Sequence, residues 1–191
     1  MKIGVLALQG AFKLHVQALE RLGVEALEVR SLQDFDDSEA LIIPGGESTT
    51  MSFLLESSEI FDSLKERSTD GMPILGTCAG MILLSSKITD GRSDQKSLGL
   101  IDIEVRRNGY GRQIDSFESD LLIKGFDDSF RGVFIRAPLV ESVGEEVEVL
   151  AEINGHPVMC RQGSTIVTSF HPELADDDRI HADFLEMVSN S

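Results

Sequence analysis

The sequence predicts an α/β fold: a doubly wound, mostly parallel sheet with an antiparallel extension. Three observations carry that expectation. Apolar strand-like runs alternate with helical stripes through the first half of the chain, the order that builds a parallel sheet. The second half changes to closely spaced strand patterns joined by turn signals. A length of 191 residues suits one compact domain over residues 1–191, large enough to bury a real core.

Each element has its own warrant. Residues 2–9 form a nearly continuous apolar run, as expected of a strand covered on both faces. Residues 11–22 set Leu14, Ala18, Leu19 and Leu22 on one helical stripe that stops at Gly23. An alternating strand follows at 24–30, and the acidic segment 34–39 reads as a solvated connector. Ala40–Ile43 is a buried strand cut off by Pro44-Gly45-Gly46. Helical patterns cover 48–55 and 60–68, then a strand at 73–77 and a helix over Ala79–Leu84. Further strands are expected at 98–107, 113–123, 133–142, 147–153, 156–161 and 165–170. Asn154-Gly155 and Gln162-Gly163 mark hairpins among them. A closing helix at 178–188 begins behind Asp176-Asp177-Asp178, which suits a helix N-terminus.

Composition excludes several functions. With 17 Lys+Arg against 33 Asp+Glu the net charge is −16, so nucleic acid is out as the default partner, since phosphate binding needs cations. No apolar run approaches the ~18 residues of a membrane span. The N-terminus runs straight into a strand without a signal-peptide pattern. Two cysteines, Cys78 and Cys160, make no disulfide framework and fit no zinc spacing. These features place the protein in a reducing cytoplasm, with no metal and no cofactor expected.

The sharpest local signal is Gly76-Thr77-Cys78-Ala79-Gly80, between the strand Pro73-Ile74-Leu75 and the apolar helix Met81-Ile82-Leu83-Leu84. A nucleophile between small residues at a strand-to-helix turn is a nucleophile elbow, here with cysteine. The helix N-terminus favours thiolate, and its first backbone N–H groups can face an oxyanion. The plainer alternative, a structural core cysteine, describes Cys160 in its strand better than Cys78.

A thiolate needs a base. His171 lies in Ser169-Phe170-His171-Pro172-Glu173, after the strand at 165–170. Pro172 biases His171 toward extended backbone, which sets Glu173 on the side of the imidazole, as the third member of a triad. The other histidines, His15, His156 and His181, read as ordinary surface residues. A third signal, Pro44-Gly45-Gly46-Glu47-Ser48-Thr49-Thr50, runs from a strand into a helix start. Adjacent glycines let a peptide unit take orientations closed to other residues, which suits a second oxyanion donor beside Ala79. A phosphate loop is disfavoured because the Walker lysine is missing.

With Pro-Gly-Gly-Glu-Ser, Gly-Thr-Cys-Ala-Gly and Phe-His-Pro-Glu in this order, the chain resembles the class I (triad) glutamine amidotransferases. Leu8-Gln9-Gly10, Arg107-Asn108-Gly109-Tyr110-Gly111-Arg112-Gln113, Asp115-Ser116-Phe117 and Val133-Phe134-Ile135-Arg136-Ala137-Pro138 narrow the likeness. They are similar to motifs of the glutaminase subunits of pyridoxal 5′-phosphate synthase. The resemblance implies a flavodoxin-like, three-layer class I glutaminase architecture. It implies hydrolysis of L-glutamine to L-glutamate and ammonia through a glutamyl thioester. The ammonia passes to a separate synthase subunit that builds pyridoxal phosphate from a pentose phosphate and a triose phosphate, and the present chain would not hold pyridoxal phosphate itself.

By the same resemblance Cys78 is the nucleophile, His171 the base and then acid, and Glu173 its orienter. Gly46, Glu47 and Ser48 hold glutamine, Gly46 and Ala79 form the oxyanion hole, and Arg107, Ile135 and Arg136 complete the substrate site. Two alternatives stay open at this point. A γ-glutamyl hydrolase or another pathway's glutaminase would use the triad without the Arg-Asn and Phe-Ile-Arg-Ala-Pro motifs. A non-catalytic partner-binding subunit would keep the fold and release no ammonia.

Overall fold

The computed structural model describes residues 1–109 and 116–191. In chain order the first half gives β1 (Lys2–Leu6), α1 (Phe12–Arg21), β2 (Glu25–Val29), α2 (Leu32–Asp36), β3 (Ala40–Ile43), α3 (Ser48–Ser57), α4 (Ile60–Thr69), β4 (Ile74–Thr77), α5 (Ala79–Leu84) and β5 (Ser85–Ile88). The second half gives β6 (Ile101–Arg106), β7 (Ser116–Leu121), β8 (Phe130–Ile135), β9 (Leu139–Val143), β10 (Glu148–Ile153), β11 (His156–Gln162) and β12 (Thr165–Thr168). A 3₁₀ turn, Pro172–Leu174, and α6 (Arg179–Ser189) close the chain.

The central sheet has seven strands in the order β10-β11-β12-β4-β3-β1-β2. The pairs β1–β2, β1–β3, β3–β4 and β4–β12 are parallel. The two hairpins β10–β11 and β11–β12 supply the antiparallel extension. Counting β12 as the fifth parallel strand, the order 2-1-3-4-5 is the flavodoxin-like winding, with its switch point between β1 and β3. Alternation along β3 sorts the core. Leu41 and Ile43 face a cluster with Met51, Leu64 and Leu83 from α3, α4 and α5. Ala40 and Ile42 face the opposite cluster, with Leu19 of α1, Phe184 of α6 and Phe134 of β8. The sheet thus lies between two layers, and β5-β6-β9 and β7-β8 form small sheets outside it.

The turn chemistry agrees with the sequence. Asn154 and Gly155 have φ of 51° and 79°, the paired positive values of a tight hairpin turn. Gly23, at φ 75°, ends α1.

Three expectations about elements need correction. The acidic connector at 34–39 is in part a helix, because Ser31 and Asp34 form a reciprocal capping box at the start of α2. Phe35 is fully buried there, and Arg67 donates to the carbonyls of Phe35 and Ser38. The single strand at 133–142 is two, β8 and β9, since Arg136 takes φ 44° and Pro138 has no N–H for a ladder. Strand β5 was absent from the expected order; it pairs with β6 directly after α5. Residues 110–115, which hold the last four residues of the Arg107–Gln113 motif, Asp115 and the expected strand start at Gln113, lie outside the described residues.

Candidate active site

The carboxyl ends of β1, β3, β4 and β12 share one rim, and a cleft of about 490 Å³ opens over it. Such rims are where open α/β sheets bind ligands, at the switch point. Cys78 sits at the end of β4 with φ 51° and ψ −101°, a strained conformation for a non-glycine residue. Its backbone N–H donates to the Thr168 carbonyl at 2.8 Å, locking the turn to β12. The flanking glycines are there because backbone passes close by. A Cβ on Gly80 would lie 2.1 Å from the Ile43 carbonyl oxygen, and one on Gly76 would lie 2.4 Å from Leu84 Cδ1. Helix α5 therefore packs directly on β3 and β4, and its first residue, Ala79, presents an N–H with no partner inside the helix.

His171 follows β12 in extended conformation, and its backbone N–H donates to the Val133 carbonyl of β8 at 2.8 Å. The 3₁₀ turn then returns Glu173 to the imidazole. His171 Nδ1 lies 2.7 Å from Glu173 Oε1. A carboxylate only accepts, so Nδ1 carries the proton and Nε2 is left for the cysteine side. Burial disfavours the imidazolium, but hydrogen bonding and charge from Cys78 and then Glu173 outweigh it and push His171 up to about 10. Glu173 is opposed by its own burial as well. His15 and His171 overcome that burial and hold it below the ordinary carboxylate range.

Gly46, Glu47, Ser48, Arg107, Ile135 and Arg136 all line the same cleft as Cys78 and His171. The Glu47 carboxylate caps α3, accepting from the Thr49 and Thr50 N–H groups. Its backbone N–H donates to Gln9 Oε1 at 3.0 Å. The Gly45 carbonyl accepts from Ala11 N–H at 3.1 Å, so the glycine loop is tied twice to the segment after β1. The Ile135 carbonyl is 3.9 Å from Cys78 Sγ. Arg107 is held by neutral acceptors, Thr49 Oγ1 at 2.8 Å and Gln95 Oε1 at 3.1 Å, and its buried Nε has no partner among the described residues. Asp90 Oδ1 takes the Arg107 backbone N–H at 2.7 Å, and the guanidinium, bonded to neutral oxygens, can pair an incoming carboxylate.

Sequence reasoning missed the shell behind these residues. His15 and His181 are fully buried, not surface groups. His15 Nε2 is 3.3 Å from Glu173 Oε2, and His15 Nδ1 is 2.9 Å from His181 Nε2. A signal was present, since each takes an apolar slot: His15 lines up with Ala18 and Leu19, and His181 with Phe184 and Leu185. Gln95, which also donates to Ser48 Oγ, had none, because it lies in an irregular loop. His156 is exposed, as expected. Cys160 is buried in β11, and burial pushes its thiol up to about 12.

Fold and geometry together define an α/β protein with a cysteine at a strained strand-to-helix turn over the switch-point rim. The chain belongs to the SNO glutamine amidotransferase family, whose model matches residues 5–190. It is 55% identical over 186 residues to the pyridoxal 5′-phosphate synthase subunit PdxT of Mycobacteroides abscessus, covering 97% of this chain and 96% of that one. It is 50% identical over 188 residues to the subunit of the same name from Thermosipho africanus, covering 98% and 99%. A crystal structure of a glutamine amidotransferase, 48% identical, superposes with a TM-score of 0.94 over 98% of both chains. Among the described residues no helix is long and apolar enough to cross a membrane.

Proposed function

We propose that this chain is the glutaminase subunit of a pyridoxal 5′-phosphate synthase, hydrolysing L-glutamine to L-glutamate and ammonia and passing the ammonia to a synthase subunit. The observation that carries the reading is the convergence on one cleft of a strained cysteine, a histidine hydrogen-bonded toward it, and an arginine whose guanidinium is bonded to neutral oxygens. High identity to subunits of that name over the whole chain supports the partner. The cytoplasm suits its two unpaired cysteines.

In this mechanism Arg107 and Arg136 take the substrate carboxylate, and Ser48 and the Gly46–Glu47 backbone hold the rest of glutamine. The Cys78 thiolate attacks the carboxamide carbon, and the oxyanion is received by the N–H groups of Ala79 and Gly46. His171 Nε2–H protonates the departing amine, releasing ammonia and leaving a glutamyl thioester. His171 then takes a proton from water, the hydroxide equivalent attacks the thioester, and glutamate leaves as the thiolate re-forms. Glu173 holds the tautomer and stabilises the imidazolium without taking its proton.

The test is ammonia release from glutamine by the chain with its synthase partner. Cys78→Ala is expected to abolish it while leaving folding and complex formation intact, and Cys160→Ala to retain it. Appreciable turnover in Cys78→Ala would overturn the assignment.

A further inference from the structure

Behind Glu173 lies a set of buried titratable groups for which the mechanism above has no use. Glu173 has two oxygens and a different ring on each. Oε1 takes His171 Nδ1 at 2.7 Å, while Oε2 lies 3.3 Å from His15 Nε2 and, among the described residues, has no hydrogen-bond partner. His15 reaches this position from α1, while His181 reaches it from α6 and puts Nε2 2.9 Å from His15 Nδ1. Thr77 Oγ1, one residue before the nucleophile, is 3.3 Å from His15 Nε2. The His15, His181 and Glu173 side chains are closed to solvent.

Proton positions follow from what each atom can do. Glu173 is an acceptor, so a neutral His15 turns its N–H at Nε2 toward it and leaves Nδ1 as a lone pair. His181 must then donate from Nε2, and its Nδ1 is a buried lone pair without a partner. The opposite chain would bury an orphan N–H at His181 and aim a lone pair at the carboxylate, which is the worse arrangement. Burial lowers His15 and takes His181 down to about 4, with Glu173 pulling both upward, so both rings are neutral at pH 7. The charged and titratable groups around the pair are Glu173 and His171 on one side and, beyond His181, Asp178 and Arg21.

We infer that His15 is a positioning residue for the reaction: its Nε2–H, anchored on Thr77 Oγ1, sets a positive dipole 3.3 Å from the outer oxygen of Glu173 so that the inner oxygen stays on His171, and His181 fixes the His15 tautomer. The inference rests on the roles proposed above for Cys78, His171 and Glu173. Without His15 the outer oxygen, already short of a hydrogen-bond donor, loses the polar group 3.3 Å from it. The carboxylate then rotates or takes up a proton, and either change weakens its hold on the imidazolium. The loss belongs to the chemical steps, because nothing in this set touches the cleft.

Two measurements on the full chain test it. Long-range ¹⁵N–¹H spectra of the imidazoles should show His15 and His181 as neutral Nε2–H tautomers between pH 6 and 8. A His15 imidazolium, or its Nδ1–H tautomer, overturns the inference whether or not any variant folds. Kinetics with saturating synthase partner then compare His15→Phe with His15→Gln, which keeps an N–H donor. For His15→Phe we expect kcat to fall roughly 10–100-fold, as when the outer partner of a site ligand is removed, with KM within about twofold. The alkaline limb of kcat/KM moves to lower pH as the imidazolium loses support, and Gln recovers part of both effects. Folded His15→Phe with parental kcat and alkaline limb sinks the inference alone. Turnover in Cys78→Ala would instead sink the reading beneath it.

Discussion

Cys78 and Cys160 are both buried, yet they stand in opposite chemical settings. Cys160 lies inside β11, where burial lifts its thiol to about 12, while Cys78 stands at a helix N-terminus beside His171. Iodoacetamide at pH 7.5 should therefore label Cys78 and spare Cys160 until the protein unfolds, as read by peptide mass mapping. Comparable labelling of the two would remove the basis for choosing between them. The partners of Cys78 divide by whether they move a proton. His171→Asn should cost roughly 10⁴–10⁶-fold in kcat, and Glu173→Gln roughly one to two orders less, since the carboxylate only orients and stabilises. Steady-state ammonia release decides the ranking, and equal losses would mean Glu173 does more than orient. That Cys78, His171 and Glu173 meet at one rim was legible because small residues, a strand end and a proline mark their backbone. The burial of His15 and His181 was signalled by their apolar slots, but their pairing was not, because it joins two helices far apart in sequence.

The elbow works only because α5 lies on bare backbone. At Gly80 an added Cβ meets the Ile43 carbonyl, which cannot give way, whereas at Gly76 the nearest atom is the end of the Leu84 side chain. Gly80→Ala should cost about 3 kcal/mol, a strained insertion into packed structure. That lowers the melting temperature by roughly 6–12 °C for a chain of this length, with a smaller drop for Gly76→Ala. Calorimetry showing the reverse order would mean that α5 can slide off β3. The glycine loop after β3 makes a second element-scale case. Its Gly45 carbonyl is held by Ala11 N–H and its Glu47 N–H by Gln9, so the Gly46 donor is oriented by the segment after β1. A synthase partner engaging Gln9 would reset that peptide, and one missing oxyanion donor costs about 10²–10³ in rate. Saturating partner should raise kcat by that order with little change in KM, and Gln9→Ala should blunt the rise. Equal kcat with and without partner would show that the hole is preformed. The double glycine announced a loop of this kind; its ties to Gln9 and Ala11 join segments more than thirty residues apart, which periodicity does not see. Similarly, α2 escaped notice because its acidic residues hid a capping box.

At the scale of the whole molecule, the doubly wound sheet and its antiparallel extension followed from alternation and turns, but the burial of three titratable rings and a carboxylate at its centre did not, and that burial sets how stability depends on pH. His181 is pushed down to about 4 and His15 is lowered too, first by burial in each case. The unfolded chain binds protons at these rings below about pH 6.5 while the folded chain does not. Their contribution is complete above pH 6.5 and drains away as pH falls toward 4, His181 alone accounting for about 3 kcal/mol. His171 has the opposite sign. Raised to about 10, it favours the folded state fully below pH 6.5 and loses that contribution as pH climbs, so it adds no slope on the acid side. The carboxylates lowered by partners, such as Glu47 and Asp177, start from ordinary values of 4.5 and 3.8, and they too are silent between pH 6.5 and 5. Relief of the −16 net charge likewise waits for carboxylates to protonate. The two buried histidines dominate that window, opposed only by Asp183, whose carboxyl is raised by burial and so adds a slope of the opposite sign. Urea melts there should show unfolding free energy falling by up to about 1.4 kcal/mol per pH unit for each ring. His181→Gln, which keeps a donor toward His15 but cannot titrate, should remove one ring's share of the slope. An unchanged slope would mean that His181 is charged in the folded protein, and the neutral relay behind Glu173 would go with it.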